Sequence, residues 1–416
     1  MRFVLASYGS RGDVEPCLAI GRELLRRGHD VRVAVPPELV GFAESVGLAA
    51  VAYGLNTRGW IDLQREFFTC LSRSPWRIRD LIRLGRDSWE SFKQCWEEIS
   101  ATLTSLAEGA DLLFTGVTFE GVAANVAQYY GTPLATLHYV PMRANGRLLR
   151  RSVATMVEWL VWRIWKNADD VQRRELGLPK ATGPWARRIA ERGSLEIQAY
   201  DEVCFPGLAA EWAKWNGQRP FVGALTLELA TDADEEAASW IAAGTPPIFF
   251  GFGSMPVDSP ADTLAMISAA CAQLGERALV CAGWSDFTDV PRFEHVKVVS
   301  TVNYAAIFPA CRAVVHHGGA GTTAAGLRAG VPTLVLWIMV DDQPFWGGVV
   351  KRLKVGTVRR FSTVTRESLV ADLRFILAPQ YVARAREIAT RTTKPAASVA
   401  AATDLVENFA RLRRVG

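Results

Sequence analysis

Long apolar runs, a strong charge bias and paired cysteines are all missing from this chain, and each absence removes a class of function. No stretch of about 18 apolar residues occurs that could span a bilayer; the longest, residues 333–340, fits a buried strand. Lys and Arg number 47 against 43 Asp and Glu, a net charge of +4 on 416 residues. So slight a bias does not make nucleic acid the main partner. Seven cysteines, an odd number, are scattered as Cys17, Cys70, Cys95, Cys204, Cys271, Cys281 and Cys311, with no CxxC pair and no Cys/His ligand spacing. A disulfide framework and a zinc site are thereby disfavoured, and reduced thiols in the cytosol are expected. Residues 1–7 carry one charge and too short an apolar run for a secretory signal, so the expectation is a soluble, cytoplasmic protein. With 49% hydrophobic and 22% charged residues, what remains is an ordinary globular composition with a length that fits two or three domains.

The periodicity specifies an α/β protein. Residues 3–6 form an apolar run that Gly9-Ser10-Arg11-Gly12-Asp13 interrupts; Val14, Cys17, Leu18, Gly21, Leu24 and Leu25 then recur on one helical face. Pro16 is expected in the first turn of that helix and Gly28 at its far end, before a strand through Val31, Val33 and Val35. Residues 111–115, 119–130 and 134–139 repeat the strand-helix-strand order. After the acidic, polar stretch 226–236 the pattern restarts, with strands at 247–251, 278–281, 296–300, 313–316 and 332–336 and helices at 261–274 and 320–329. Such alternation builds parallel sheets with helices on both faces. The expected organisation is a domain over 1–222, a linker over 223–236, a second domain over 237–380 and a terminal helix over 381–416 packed across the junction.

The sequence 314–323 (VVHHGGAGTT) follows a strand and opens a helix. Small residues there let a ligand approach the backbone, and the helix N-terminus favours a phosphate. His316, Thr322 and Thr323 add donors; otherwise the glycines serve only close helix-strand packing. Residues 9–16 are not GxGxxG, so the dinucleotide fingerprint fails, but they put Asp13 at the carboxyl end of the first strand. Catalysis and simple helix capping both fit that carboxylate. Glu15 would point elsewhere, so no glycosidase-like carboxylate pair is supported. Gly251-Phe252-Gly253-Ser254 could present Ser254 to an anion or merely turn the chain. Asp341-Asp342-Gln343-Pro344 suits hydroxyl recognition, an acid accepting and an amide donating, or a cap. His138 reads as a packed core residue and His29 as a surface turn.

Residues 73–89 and 156–166 are basic and aromatic, with Trp159, Trp162 and Trp165 three apart. Packing into a core or lining an apolar acceptor groove is the favoured reading; peripheral contact with a membrane surface is the other.

Gly-Ser-Arg-Gly-Asp-x-x-Pro at 9–16, Gly-Phe-Gly-Ser at 251–254, His-His-Gly-Gly-Ala-Gly-Thr-Thr at 316–323 and Asp-Gln-Pro at 342–344 resemble, in order and spacing, the nucleotide-sugar glycosyltransferases of family 1. The chain is similar within that family to the glycopeptide-antibiotic enzymes. It is closer still to the mycobacterial enzymes that decorate glycopeptidolipids with deoxysugars, through Pro141-x-Arg143-Ala144-Asn145-Gly146 and Arg192-Gly193-Ser194. The resemblance implies the GT-B fold, two facing Rossmann-like domains with a cleft between them. It implies Asp13 as general base, and Ser10, Ser254, His316, Gly319, Ala320, Gly321 and Thr322 as diphosphate contacts. Arg11, Gly12, Val302 and Gly318 join that donor site, and Asp342 and Gln343 hold sugar hydroxyls. Relatives that carry a ribose-binding glutamate place it where this chain has Ala324, which implies a dTDP-sugar donor over a UDP-sugar. The implied reaction is inverting transfer of rhamnose or 6-deoxytalose to a hydroxyl of a lipopeptide or other hydrophobic acceptor, with no metal and no cofactor besides the donor. A sugar-nucleotide epimerase and a non-catalytic binding protein are the competing classes.

Overall fold

The computed structural model describes residues 1–415 apart from 61, 64, 65, 67–69, 71–73, 75, 144–147, 216, 254, 256, 258, 288, 289, 340 and 341. The chain divides into two units, one of Met1–Ala199, Gly207–Leu225 and Ala396–Gly416, the other of Tyr200–Pro206 and Thr226–Pro395. The first unit carries β1 (Arg2–Ala6), β2 (Asp30–Val35), β3 (Ala49–Ala52), β4 (Leu112–Gly116), β5 (Leu134–His138) and β6 (Leu195–Gln198). The second carries β7 (Ile248–Gly251), β8 (Ala278–Cys281), β9 (Val296–Val299), β10 (Ala313–His316), β11 (Thr333–Trp337) and β12 (Gly356–Arg360).

All pairings are parallel, and the sheets run β3-β2-β1-β4-β5-β6 and β12-β11-β10-β7-β8-β9. Counted from its own first strand, each sheet has the order 3-2-1-4-5-6 of the doubly wound nucleotide-binding fold. The order reverses between β1 and β4 in one sheet and between β7 and β10 in the other. Open α/β sheets take their ligands at the carboxyl ends of those strands, where the glycine motifs at 9–13, 251–253 and 316–319 lie.

Burial on both sheet faces explains why the strands read as continuous apolar runs. In β7 the adjacent Phe249 and Phe250 point to opposite faces. Phe250 packs with Leu264, Ile267 and Leu373, whereas Phe249 packs with Ile241, Ile307 and Phe308. In the first unit, Val4, Ala6 and Leu113 share a core with Trp96, Ile99 and Leu103 of the helix Ile78–Ala107 and Val122 and Val126 of the helix Glu120–Tyr130.

Three sequence expectations change. The first helix spans Arg11–Arg26, so Pro16 lies inside it rather than in its first turn, and the Gly12 carbonyl loses an intrahelical partner. The terminal segment is two helices, Pro379–Ala389 and Pro395–Val415; Pro395 disfavours helical geometry at Lys394 and starts the second. From Ala396 this last helix belongs to the first unit, where Arg27 bonds Asp404 and Glu407, each at 2.6 Å. His29 is therefore no surface turn residue: it bonds Glu407 at 2.5 Å and packs edge-on against Phe3.

Candidate functional site

In the second unit, β10 ends at His316, in register with Gly251 at the end of β7. The helix Ala320–Ala329 begins four residues later, with Gly319 as its extended N-cap. His316 is fully buried, and its Nδ1 accepts the Gly318 N–H at 2.9 Å. That bond fixes the ring proton on Nε2, which is buried and without a partner among the described residues. Burial, with His317 beside it, lowers the His316 pKa to about 3. At working pH the ring is therefore a neutral donor at the positive end of a helix, and a buried donor without an acceptor calls for one. Burial also lowers His317, to about 4, against a hydrogen bond with the Gly251 carbonyl.

Both histidines are thus held neutral in the folded chain, whereas the unfolded chain binds their protons below about pH 6.5. The unfolded state then carries more protons, so stability of this unit falls as pH drops from about 6.5 toward about 4 and below. Melting temperature followed over that range is expected to decline, and His317→Gln to flatten the decline.

Gly318 sits at φ +102°, and a Cβ there would stand 2.8 Å from both the Gln343 carbonyl oxygen and Val335 Cγ1. Only glycine brings this loop so close to the start of the helix Gln343–Arg352. Gln343 is buried, and its Oε1 accepts the N–H groups of Ile338 at 2.8 Å and Met339 at 3.1 Å. The acceptor half of that amide closes the loop after β11 and is not available to a sugar hydroxyl. Asp342 directly precedes that helix and is half-buried. Thr323 is engaged likewise: its buried hydroxyl donates to the Gly319 carbonyl at 2.9 Å. Thr322, Ala320, Gly319 and Gly321 stay accessible at the helix start. The Val302 side chain is buried among Phe249, Leu279 and Ile307, so it turns away from solvent. Ala324 is buried in the helix body. Ser254 and Asp341 lie outside the described residues.

In the first unit, Asp13 is the third residue of its helix. Its Oδ2 accepts the Ser10 N–H at 2.7 Å and the Ser10 hydroxyl at 3.0 Å, and Ser7 Oγ donates to its carbonyl at 2.9 Å. A Cβ on Gly9, at φ +142°, would meet Asp13 Oδ2 at 2.4 Å, so that glycine admits the carboxylate to the strand end. The capping reading of Asp13 is thus realised, and the side chain remains half-buried at the carboxyl end of β1. Arg11 pairs with Glu15 at 3.0 Å and lies over the Phe42 ring at 4.5 Å, while Gly12 is exposed.

Sequence reasoning missed an aromatic cluster in the same unit, which reaches Tyr8 in the loop after β1. Phe119, in the loop after β4, holds the left-handed conformation at φ +62°, rare for an aromatic residue. Its ring contacts Tyr8 at 5.3 Å, Phe92 at 4.9 Å and Trp96 at 6.0 Å. Strain of this kind concentrates at functional sites. Phe92 meets Trp165 at 3.6 Å, and Trp165 stacks on Trp89 at 4.8 Å. The three-residue spacing of tryptophans does not define one surface. Trp165 joins this aromatic platform, Trp162 is buried and donates to Asp169 at 3.3 Å, and Trp159 is half-exposed beneath Arg163. Beside the platform, β5 and β6 end in a buried ionic cluster. His138 bonds Glu120 at 2.5 Å, Arg143 joins Glu120 to Glu196, and Arg219 meets Glu196 at 3.2 Å.

Comparison with known proteins agrees with this geometry. Residues 3–106 match the glycosyltransferase family 28 N-terminal domain, and residues 278–410 match the erythromycin biosynthesis protein CIII-like C-terminal domain. The chain is 61% identical over 423 residues to the uncharacterized glycosyltransferase Rv1524 of Mycobacterium tuberculosis, covering 100% of both chains. Among solved structures, the glycotransferase of kitacinnamycin is similar at a TM-score of 0.72 with 20% identity, over 98% of each chain. Glycosyltransferase VinC, solved in complex with dTDP, is similar at 0.65 with 18% identity, over 100% of each chain. With the nucleotide-binding strand order in both units, the chain belongs to the family 1 glycosyltransferases of GT-B fold.

Proposed function

We propose that this glycosyltransferase moves a deoxyhexose, rhamnose or 6-deoxytalose, from a dTDP-sugar to a hydroxyl of a lipopeptide in glycopeptidolipid assembly. The observation that carries the donor reading is the buried Nε2–H of His316, without a partner among the described residues, at the N-terminus of the helix Ala320–Ala329. A diphosphate oxygen satisfies it, and a hydrogen bond to a charged group contributes about 1.5–3 kcal/mol. Ala324 offers no carboxylate to a ribose 2′-hydroxyl, which favours thymidine, and the dTDP bound to VinC supports the same class. The aromatic platform of Phe119, Phe92 and Trp165 suits the apolar part of the acceptor.

The acceptor oxygen forms its bond to the anomeric carbon as the bond to the diphosphate breaks on the opposite face, which inverts the centre. Asp13 receives the acceptor proton. The electron pair leaves with dTDP, whose charge meets the His316 donor and the helix amides. No metal is called on in these steps, and turnover is expected to persist in chelator.

The test is nucleotide binding, by calorimetry and thermal shift with dTDP, UDP, GDP and NAD. The dTDP affinity is expected to be the highest and to fall about 10- to 100-fold in His316→Asn. Stabilisation by NAD alone, or equal dTDP affinity in the variant, overturns the reading.

A further inference from the structure

We infer that the first unit docks on an anionic phospholipid bilayer through an apolar face that its two longest helices leave uncovered. On the helix Leu148–Glu175, Val153, Met156, Val157, Leu160 and Ile164 recur at i, i+3, i+4, i+7 and i+11. That stripe is ordinarily turned to a core, yet all five are 46–57% exposed. The helix Ile78–Ala107 adds Ile78 and Ile82, 63% and 67% exposed, one turn apart, and Trp76 just before it is 74% exposed. The stacking of Trp89 on Trp165 ties the two helices together, so both exposures belong to one region of the surface. Contiguous apolar exposure of this kind marks an interaction site rather than chance.

Charge selects the occupant. Residues 77–86 carry Arg77, Arg79, Arg83 and Arg86, of which Arg77, Arg83 and Arg86 are more than 60% exposed, against Asp80, which pairs with Arg77 at 2.6 Å. Asp87 and Glu90 stand 3.8 and 3.9 Å from Arg86. On the other helix Arg163 is set against Glu158 in the sequence, while Lys166 is held by Asp170. A second copy of the same face would set these cations against one another. An anionic head-group layer matches them, with the apolar stripe entering the acyl boundary and the arginine stems reaching back to phosphate. Trp76 and Trp159 have the half-apolar, half-polar character that interfacial depth favours. No described helix is long and apolar enough to cross a membrane, so contact is with the surface. The cavity of about 450 Å³ in this unit lies elsewhere, between Ala124, Ile189 and Phe409, and none of these side chains lines it. Docking of this sort holds an enzyme where an amphiphilic acceptor is concentrated, and it does not depend on which nucleotide sugar is used.

The test is co-sedimentation of the full chain with phosphatidylcholine vesicles, with and without about 30% phosphatidylglycerol. The protein is expected to pellet with the anionic vesicles, to stay in solution with the neutral ones, and to be released by about 1 M salt, where the Debye length is about 3 Å. Met156→Glu with Ile164→Glu, and separately Arg79→Gln with Arg83→Gln and Arg86→Gln, are each expected to lower partitioning tenfold or more. Both sets replace exposed side chains, and an unchanged melting temperature confirms that the fold is kept. Absence of binding to anionic vesicles overturns the inference, as does equal binding to both vesicle types or wild-type partitioning of the folded variants. A dimer in light scattering that Ile164→Glu dissolves overturns it in favour of a second copy.

Discussion

Asp13→Asn is expected to lower the turnover of sugar transfer by about 10²- to 10⁴-fold, the range for removal of a general base, while the protein stays folded and binds dTDP as before. Two roles compete for this side chain, and the substitution separates them. As a cap, Asp13 Oδ2 accepts the Ser10 N–H and hydroxyl at 2.7 and 3.0 Å, and an asparagine carbonyl accepts both. As a base, the carboxylate must take a proton, which the amide does not. Asp13→Ala removes both roles and is expected to lose in addition about 0.5–2 kcal/mol of stability, the range for loss of a helix cap. Initial rates with saturating donor give the comparison, and kcat rather than KM should carry the change. Near-wild-type turnover in Asp13→Asn would leave the residue as a cap and remove it from the chemistry.

The contrast between cap and base also marks how far the sequence could be read. Strands such as β1 and β7 are apolar runs closed by glycine, and their buried two-faced packing keeps that pattern clean. β3 and β12 escaped notice because they are edge strands, half-exposed and weakly patterned as Ala-Ala-Val-Ala and Gly-Thr-Val-Arg-Arg. β6, Leu-Glu-Ile-Gln, escaped for the opposite reason: Glu196 and Gln198 are fully buried, and a polar letter in a short strand reads as solvent-facing. The glycine loop between β10 and the helix Ala320–Ala329 was legible from glycines and histidines at a strand end. Its decisive detail was not, because the Nε2 proton of His316 depends on a bond to Gly318 that only the folded loop makes. Nor could spacing show that the amide of Gln343 faces inward, since that follows from the turn at Ile338 and Met339. The aromatic platform around Phe119 brings together residues from four separate segments, a relation that no local pattern encodes.

Glu196→Ala is expected to be the most destabilising single change, by about 3–5 kcal/mol, the range for breaking one partner out of a buried ion pair. Glu196 is fully buried at the centre of β6 and pairs with Arg143 through one oxygen and with Arg219 through the other. Removing it leaves two arginines in a space closed by protein, one of them pinned over Trp215 at 4.2 Å and Trp212 at 5.1 Å. Glu120 can still hold Arg143, at 3.0 Å, but Arg219 loses its buried carboxylate. Glu196→Gln keeps the shape and both acceptor contacts to one side, so it should cost clearly less than alanine. Urea unfolding followed by tryptophan fluorescence reads the difference, since Trp212 and Trp215 lie against the cluster. Acid acts on this cluster late. Burial raises the Glu120 pKa, but Arg143 and His138 overcome it and hold the group near about 2. With an unfolded value of about 4.3, its contribution is complete above that pH and is lost only as pH falls through about 2. The second unit, whose histidines begin to favour the unfolded chain near pH 6.5, should therefore soften first on acidification, and Glu196→Ala should bring the first unit's transition down to meet it.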